Sequence, residues 1–272
     1  FTAIIALRQT LKKTKPNIVC AFGIKDIFFS LIASIGMKIK IVGSERRSPD
    51  SNSTKVKLLS KLLYRCCDGM VFQLEDAKKY FGETIRNKSM VIPNSYRGSK
   101  VYQICPFNQR RNVITTAAAR FEPQKGIDTL ISAFKIVHES HPDYKLEIYG
   151  EGKLLKEYKK QVDQYDLYDY ISFPGLVDNV ADVVWDSSVF VLPSRVEGIP
   201  NVLMEVLGAG VPTVSTDCPP GGPRLLTKNG ERGLLVSVDD VEKMAEAICQ
   251  IIENEELSKD LSQKAVEVVE EF

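Results

Sequence analysis

Two cations and a glycine follow a strand-like run in the second half of the sequence. Arg120 and Lys125 come after the apolar run Val113–Ala118 and directly before Gly126. An arginine grips phosphate oxygens through its planar fork, a lysine acts as a point charge, and a helix start attracts anions through its free N–H groups. This combination suits a diphosphate better than a single carboxylate, although two solvated surface cations would leave the same pattern.

Two acids follow a second strand-like run. In EGIPNVLME, Glu197 and Glu205 flank a Gly and a Pro, just after Val189–Leu192. Pro200 suits the first position of a helix, which needs no N–H donor. The N–H groups predicted to line a ligand at this helix start belong to Gly198, Ile199 and Asn201. Two carboxylates are poor phosphate ligands, so they suit hydroxyls at the two ends of a ligand whose middle is anionic. The alternative is a helix N-terminal Glu beside a surface Glu.

Two segments rich in Gly and Pro come after the acidic pair. Gly208–Pro212 would close the helix that holds Glu205, with Gly at its C-cap and Pro beyond it. We interpret this segment as structural. Cys218–Pro223 forms a predicted loop after the next strand, and its glycines would let the backbone approach a ligand closely.

Several common kinds of site are missing from the sequence. No G-x-G-x-x-G follows a predicted strand, which counts against a nicotinamide or flavin dinucleotide enzyme, and no G-x-x-x-x-G-K-[ST] is present. His138 and His141 stand at the end of one predicted helix, where capping or solvent contact is more common than general-base catalysis. No acidic cluster suits a divalent metal at a diphosphate. We therefore expect neither a metal nor a cofactor.

The net charge of +1 over 272 residues hides an uneven distribution. Residues 1–108 hold 19 Lys and Arg against 7 Asp and Glu, whereas residues 109–272 hold 17 against 28. The basic half could face an anionic membrane or a phosphate-bearing substrate, and a solvated Lys-rich face would have the same composition. We expect no nucleic-acid partner.

Cysteine usage and hydropathy indicate the compartment. The six cysteines include the adjacent pair Cys66 and Cys67 but form no C-x-x-C and no zinc-like spacing, which favours unpaired thiols in a reducing compartment. The longest apolar stretch, Ile27–Met37, is about half the roughly 20 residues of a membrane-spanning helix. The chain starts at Phe1 without a Met or a signal peptide, so we expect its natural beginning to be missing. We predict a cytoplasmic protein with peripheral contact to the inner face of the membrane.

Strands and helices alternate twice along the chain. The strands are predicted at 17–22, 38–42, 69–72, 89–92, 113–118, 145–149, 170–173, 189–192, 212–215 and 233–236, with helices between them and two more from 239 to 272. Such alternation predicts an α/β protein with parallel sheets, here two Rossmann-like doubly wound domains facing a cleft. Residues 94–111 are polar and basic and are interpreted as a linker between domains 1–104 and 105–272. Because parallel sheets bind ligands at the carboxyl ends of their strands, the charged loops belong at the site.

The order of these motifs resembles that of the family-four retaining glycosyltransferases of the GT-B fold, the group 1 glycosyl transferases. The likeness covers nearly all of residues 91–272 and, more loosely, residues 1–90. Ser44–Pro49 and Val91–Asn94 are similar to segments of members that build capsule, exopolysaccharide or lipid-linked glycans.

The resemblance implies a role for each site residue. Arg120 and Lys125 would hold the donor diphosphate, Glu205 would bind the ribose, and Glu197 would meet the donor sugar. Backbone of Gly198, Ile199, Pro200 and Asn201 would cradle the sugar and phosphate, and Leu176 and Val177 would flank the base. The family is metal-independent and retaining, and its leaving diphosphate is thought to receive the acceptor proton. Arg120, Lys125 and Glu197 are therefore the implied catalytic residues.

The resemblance also implies what is transferred. A hexosyl or N-acetylhexosaminyl unit would move, with retention, from a nucleotide diphosphate sugar, with UDP as the nucleotide, to a glycan or lipid-linked acceptor. Domain 105–272 would bind the donor, and domain 1–104 would be a partial acceptor-side domain. A sugar-nucleotide epimerase or phosphorylase on the same fold, or a non-catalytic nucleotide-sugar-binding subunit, are the alternatives.

Four features depart from the family pattern. The Gly-rich turn after the first strand is missing, no His stands near Cys20–Phe22, and Arg224 is followed by Leu225 where many members carry an acid. The chain also stops at Phe272, where relatives usually continue along a helix. We therefore expect the amino-terminal domain to be incomplete and this piece to transfer sugar weakly or not at all.

Overall fold

The computed structural model describes residues 2–46, 53–96, 98 and 100–272. The chain divides into two compact units, Phe1–Asn94 and Ser95–Phe272, each with one parallel sheet between helices. The predicted α/β class with two Rossmann-like parallel-sheet domains is confirmed. Residues 47–49 of the segment Ser44–Pro49 lie outside the described residues.

The first unit contains a four-stranded sheet in the order β1-β2-β3-β4. Its strands are β1 Ile18–Phe22, β2 Lys40–Glu45, β3 Gly69–Phe72 and β4 Ser89–Val91. Its helices are α1 Thr2–Thr14, α2 Ile24–Ala33, α3 Thr54–Cys66, α4 Glu75–Lys79 and α5 Glu83–Arg86. Buried Ile27, Met70 and Phe72 form part of its core. The buried Tyr64 hydroxyl donates to the carboxylate of Glu45, so that neither polar group is buried without a partner.

The second unit contains a six-stranded parallel sheet. Its strands are β5 Arg111–Ala118, β6 Lys145–Gly150, β7 Ile171–Gly175, β8 Ser187–Leu192, β9 Thr213–Thr216 and β10 Leu234–Val236. Its helices are α6 Ile127–Ser140, α7 Leu155–Gln164, α8 Val180–Val184, α9 Asn201–Gly208, α10 Gly222–Leu226, α11 Val241–Glu253, α12 Glu255–Ala265 and α13 Val268–Glu271. Short 3-10 turns cover 107–109, 123–125 and 228–230.

Apolar patterning explains why this sheet is covered on both faces. Every residue of β8 is buried, as expected for a central strand between two helix layers. Along α6, Ile127, Leu130, Ile131 and Phe134 are fully buried, and this spacing places them on one helical stripe. Packing of such stripes against the central strands forms the core of the unit.

The strand order of the second unit fixes where a ligand can bind. The strand order is β10-β9-β8-β5-β6-β7. The chain first adds β6 and β7 on one side of β5, and it then returns to add β8, β9 and β10 on the other side. The two halves of the sheet meet between β5 and β8, which are hydrogen-bonded in parallel. A crevice opens at the carboxyl ends of the strands at such a switch point, and ligands of open α/β sheets bind there.

The end of the predicted linker 94–111 belongs to the fold of the second unit. The guanidinium of Arg110 is buried and donates to the carbonyl oxygens of Ser187, at 2.8 Å, and Gly210, at 3.0 Å, and to Ser262. Arg111 pairs with Glu147 and Asp186. The compact units are divided between Asn94 and Ser95, whereas the sequence predicts the division between residues 104 and 105. Both arginines therefore serve the fold of the second unit.

Short helices are the other difference from the prediction. Helices α5, α8 and α10 have four or five residues each, and the chain ends in three helices, not two. One turn of helix has no apolar periodicity to detect, because the pattern needs several turns to repeat. The predicted loop Cys218–Pro223 is accordingly shorter, since its last two residues begin α10.

Candidate functional site

The loops that follow β5 and β8 touch each other at the switch point. Gly126 has a φ of 63°, and a Cβ at this position would lie 1.9 Å from the carbonyl oxygen of Pro193. Only a glycine fits such a close approach in this backbone conformation. The N–H of Arg195 also donates to the carbonyl of Gln124 at 2.8 Å. The two charged loops predicted from the sequence, after β5 and after β8, therefore form one surface.

Lys125 and Glu197 meet on that surface. The ammonium Nζ of Lys125 lies 2.7 Å from Oε1 of Glu197, and the hydroxyl of Ser194 donates to the same oxygen at 2.9 Å. The Lys125 and Glu197 side chains are 24% and 14% exposed, so the pair is neither buried nor fully solvated. Sequence reasoning found both residues but did not predict that they pair. An ammonium has three N–H donors, so Lys125 can hold Glu197 and still donate to an anion.

Arg120 lies at the exposed rim of the same loop. Its side chain is 74% exposed, and its Nε is 3.6 Å from Oε1 of Glu122. An exposed ion pair of this length contributes little to stability. The structure brings Lys125 and Glu197 into contact, and Arg120 contacts Glu122 instead. A long, weakly held guanidinium can turn towards an incoming anion at little cost.

Arg195 braces the two loops, and sequence reasoning missed it. Its guanidinium forms a bidentate pair with Asp128 at 2.7 and 3.0 Å and bonds Asp239 at 2.7 Å. The hydrogen bonds with Asp128 raise the pKa of Arg195, and Asp239 adds to the effect. Since Asp128 stands in the first turn of α6, this arginine ties the Glu197 loop to the helix that follows Lys125. The signal was present as an Arg two residues before Glu197, but its partners come from distant elements.

A third strand-end loop packs under Glu197. The N–H of Glu197 donates to the carbonyl of Pro219 at 3.1 Å. A Cβ on Gly222 would lie 1.4 Å from the carbonyl oxygen of Gly198, so that backbone meets backbone without an intervening side chain. The predicted close approach of the Cys218–Pro223 segment is thus made to protein backbone. It fixes the path of Gly198 beside the start of α9.

The sequence predicts Pro200 as the first residue of α9, but the structure places it at the N-cap, one position earlier. Its φ of −74° and ψ of 109° are extended, and its carbonyl accepts hydrogen bonds from Leu203 and Met204 at 3.1 and 3.2 Å. A proline suits this place because its fixed φ is compatible with the turn. Gly198 and Ile199 thus precede the helix, and Asn201 is its first residue. Ile199 is buried, with 5% of the residue exposed.

Glu205 lies one turn further along α9 than Asn201. It lines a small pocket together with Ser95, Tyr96, Asn201 and Met204. Burial raises the pKa of the Glu205 carboxyl. The pKa of the Tyr96 hydroxyl is also raised, mainly by burial and to a smaller extent by the negative charge of Glu205. The Tyr96 ring also covers Gly208, where a Cβ would lie 2.7 Å from the ring. Tyr96 was not predicted at the site, because it precedes the strands that carry the other residues.

Leu176 and Val177 follow β7, at the edge of the sheet. The strand ends at Gly175, whose φ of 94° turns the chain. Leu176 is 57% exposed, whereas Val177 is half-buried. In the sheet, β6 lies between β5 and β7. The loop that holds Leu176 and Val177 therefore lies at the carboxyl ends of the strands, like the Lys125 loop, but two strands to one side of it. An exposed leucine there offers an apolar surface of the kind on which a flat base packs.

A family model for glycosyl transferases group 1 matches residues 105–268. The chain belongs to this family. The family resemblance drawn from the motifs is thus confirmed. The match spans the elements from before β5 to the end of α12 and so includes the loops that follow β5, β7, β8 and β9.

Three known proteins illustrate the likeness. An uncharacterized glycosyltransferase from Haemophilus influenzae is 25% identical over 280 residues, which cover 100% of this chain and 77% of that protein. A Campylobacter jejuni protein, the GalNAc-alpha-(1->4)-GalNAc-alpha-(1->3)-diNAcBac-PP-undecaprenol alpha-1,4-N-acetyl-D-galactosaminyltransferase, is 24% identical over 274 residues, 100% of this chain and 75% of that protein. The crystal structure of Anabaena HepE with UDP and glucose has a TM-score of 0.85 at 18% identity, covering 98% of this chain and 76% of that one.

Other matched proteins are longer still. The chain spans 60% of two further uncharacterized glycosyltransferases, both from Methanocaldococcus jannaschii.

Among the residues that the structure describes, no helix has the length and apolar character needed to cross a membrane.

Proposed function

We propose that this chain is the nucleotide-sugar-binding part of a glycosyltransferase that moves a hexosyl or N-acetylhexosaminyl unit to a glycan or lipid-linked acceptor, with UDP as the donor nucleotide. The observation that carries the proposal is the contact of Lys125 and Glu197 at the switch point of the second sheet, beside the start of α9. The C. jejuni relative is named as a transferase acting on an undecaprenol-linked glycan, and the HepE neighbour is described with UDP and glucose. Both support this choice of donor and acceptor class.

In this proposal the donor diphosphate binds in front of Lys125. The ammonium donates to a phosphate oxygen while it keeps Glu197 as a partner, and Arg120 turns in from the rim to add a second cation. Negative charge grows on the diphosphate as the sugar departs. Cations held ready at that place stabilise the transition state more than the bound donor, and this difference is what accelerates the reaction. Arg120 and Lys125 are therefore assigned to the leaving group.

Glu197 is assigned to the donor sugar. One of its oxygens accepts from both Lys125 and Ser194. A carboxylate has a second oxygen with its own lone pairs, which we assign to a sugar hydroxyl. The backbone of Gly198, Ile199, Pro200 and Asn201 lies next to it and would hold the sugar and the adjoining phosphate. Glu197 would thus couple the position of the sugar to that of the cation on its leaving group.

The nucleoside is assigned to the two remaining groups. Glu205 would accept hydrogen bonds from the ribose hydroxyls, with Tyr96 beside it, and Leu176 and Val177 would pack against the base. We propose that the sugar is transferred with retention and without a metal, and that the departing diphosphate takes the acceptor proton. The second unit, Ser95–Phe272, would then be the donor side of the enzyme, and the first unit, Phe1–Asn94, would supply the acceptor side.

We also propose peripheral contact with an anionic membrane through α3. This helix exposes Leu58, Leu59 and Leu62, with 73%, 43% and 60% of each residue accessible. Lys55, Lys61 and Arg65 are exposed on the same helix. A helix that combines exposed leucines with cations is typical of segments that lie in the membrane interface. Such contact would bring the enzyme to a lipid-linked acceptor.

The function is tested by incubating the intact-length protein with a panel of nucleotide sugars and a lipid-phosphate glycan, followed by mass spectrometry of the glycan. We expect the glycan to gain the mass of one hexosyl or N-acetylhexosaminyl residue with a UDP sugar and not with a GDP or ADP sugar. Lys125→Ala should abolish the gain, and Lys159→Ala, at an exposed lysine of α7, should not. Interconversion or phosphorolysis of the sugar nucleotide without any acceptor would contradict the proposal.

A further inference from the structure

A histidine, a cysteine and a glutamate converge at the far end of α6. His141 directly follows α6, while Cys249 and Glu253 stand four residues apart on α11 and so share one face of that helix. Nε2 of His141 lies 2.8 Å from Oε1 of Glu253. One ligand atom from each of the three residues, including the Cys249 sulfur, lies within 4.8 Å of the others.

The two helices hold these side chains in place. The N–H of His141 donates to the carbonyl of Val137 at 2.8 Å, and its own carbonyl accepts from Tyr144 at 3.1 Å. The Tyr144 ring packs edge-on against the imidazole at 5.8 Å. On α11, Ile248 and Ile252 flank Cys249 and Glu253 and are buried in the core that α6 also lines. The packing of α6 against α11 therefore fixes the backbone positions from which the three ligand groups project, and a metal site requires such support.

The donor set selects the kind of cation. An imidazole nitrogen, a thiolate sulfur and a carboxylate oxygen suit Zn²⁺ and its near neighbours, whereas Ca²⁺ and Mg²⁺ prefer oxygen ligands alone. Three protein ligands leave one position of a tetrahedral ion for water. Cys249 is partly accessible and the Glu253 side chain is 58% exposed, so an ion can reach the cluster from solvent.

We propose that His141, Cys249 and Glu253 form a binding site for a zinc-type divalent cation, which clamps the carboxyl-terminal end of α6 to α11. On binding, the cysteine thiol loses its proton to solvent, and the contact between His141 and Glu253 is replaced by a bond from each to the metal. Neither oxidation nor reduction is involved. The sequence hides the site because the histidine and the cysteine stand far apart along the chain and come together only where the two helices pack.

The site is separate from the candidate donor site. Lys125 precedes α6 and His141 follows it, so the 14 residues of the helix, about 20 Å at 1.5 Å per residue, lie between them. The cation would thus stabilise the second unit without touching the donor. The inference does not rest on the proposed transferase activity, and either can fail alone.

Cobalt(II) titration of the whole, metal-free chain tests the site. We expect one Co²⁺ per chain, with a thiolate-to-cobalt charge-transfer band and the intense visible bands of a tetrahedral ion. Zn²⁺ should displace the cobalt and raise the Tm. Cys249→Ser should remove the charge-transfer band, and His141→Ala and Glu253→Gln should weaken binding of both metals. Circular dichroism reports whether each variant folds.

The matched control removes the two exposed thiols elsewhere in the chain. Cys20 and Cys66 are both exposed and could bind metal adventitiously. The variant with Cys20→Ser and Cys66→Ser should keep the cobalt spectrum and the Tm rise with Zn²⁺. If wild type shows no charge-transfer band, or if the band survives in folded Cys249→Ser, the proposal is overturned. Glu253→Gln keeps the test decisive should the substitutions at Cys249 or His141 prevent folding, because its exposed side chain can be changed without disturbing the core; unchanged metal affinity there would also refute the site.

Discussion

At the scale of single residues, the site depends on a cation shared between a protein carboxylate and the proposed ligand. Lys125 and Glu197 were found from residue type and from their positions after strands. Their contact could not be predicted, because it depends on β5 and β8 being neighbours and on the close approach of Gly126 to Pro193. Arg195 and Tyr96 were missed for the same reason: their partners lie far away in the sequence.

Glu197→Gln separates binding from transfer. The amide keeps the shape of the side chain but removes the negative charge that competes with phosphate for Lys125. We therefore expect UDP to bind at least as tightly as to wild type, measured by calorimetry. Sugar transfer by the intact-length protein, measured by mass spectrometry, should fall because the carboxylate no longer accepts from the donor sugar. A large loss of UDP affinity with transfer intact would contradict these roles.

The pH dependence of nucleotide binding tests Glu205. Burial raises the pKa of its carboxyl, so the acid takes up a proton at a higher pH in the fold than in the unfolded chain. The carboxylate accepts hydrogen bonds from hydroxyls more strongly than the protonated acid. UDP affinity should therefore be full above the folded pKa and decline as the pH falls through it, at a pH above the ordinary range of a glutamate.

Glu205→Gln is the matched variant for this pH dependence. The amide does not titrate, so its weaker UDP affinity should be flat over the pH window in which wild type declines. The fold itself should respond in the opposite sense. Burial disfavours the charged acid, so its contribution to stability becomes unfavourable as the pH rises above the unfolded pKa and stays so above the folded pKa. An unchanged pH profile in the variant would remove Glu205 from the site.

Among the secondary-structure elements, the strands were predicted well, but the short helices and connecting segments between them were not. The ten strands in the part of the chain that the structure describes were all located from apolar runs, the clearest being central strands such as β8, because a buried parallel strand is a nearly continuous apolar segment. The one-turn helices α5, α8 and α10 carry no such signal. Arg110 looked like part of a polar linker because a charged residue is rarely buried, but four acceptors surround its guanidinium. Burial lowers its pKa, yet an arginine stays charged.

Gly126→Ala tests the joint between the two loops. The new methyl group would collide with the Pro193 carbonyl at a φ of 63°, so the loops must separate. We expect a loss of stability clearly larger than the roughly 1 kcal/mol that a left-handed conformation alone costs, together with weaker UDP binding. Chemical denaturation and calorimetry measure the two effects.

Gly230→Ala is the matched control for Gly126→Ala. Gly230 also has a positive φ, of 99°, but no atom lies within 4 Å of the added carbon. It should show only the conformational cost and leave UDP binding unchanged. Equal losses of stability in the two variants would mean that the close approach to Pro193 is not tight.

In the molecule as a whole, the first unit has an excess of basic residues and the second unit an excess of acidic residues. The excess of cations in residues 1–108 was read from the sequence, and the structure adds a helix, α3, that joins exposed cations to exposed leucines. Composition alone could not distinguish a membrane-facing helix from a solvated one, because the distinction depends on which apolar side chains the fold leaves uncovered.

Sedimentation with vesicles tests the membrane contact. We expect binding to vesicles rich in anionic phospholipid, weaker binding as salt rises, and little binding to neutral vesicles. Leu58→Ser combined with Leu62→Ser should reduce binding, because their apolar side chains would no longer be buried in the interface. Ile35→Ser changes a residue that is 66% exposed but lies outside α3, and it should have no effect. Equal binding by all three proteins would rule out α3 as the contact.

We expect Lys125, at the switch point of the second sheet, to hold the diphosphate of the donor. Calorimetric titration of UDP into wild type, Lys125→Ala and Lys159→Ala tests it most directly. A hydrogen bond from a charged group contributes about 1.5–3 kcal/mol, so Lys125→Ala should weaken UDP binding by roughly tenfold to a hundredfold. Lys159→Ala should bind like wild type. Wild-type affinity in folded Lys125→Ala, or no binding of UDP to wild type, would show that Lys125 does not hold the donor diphosphate.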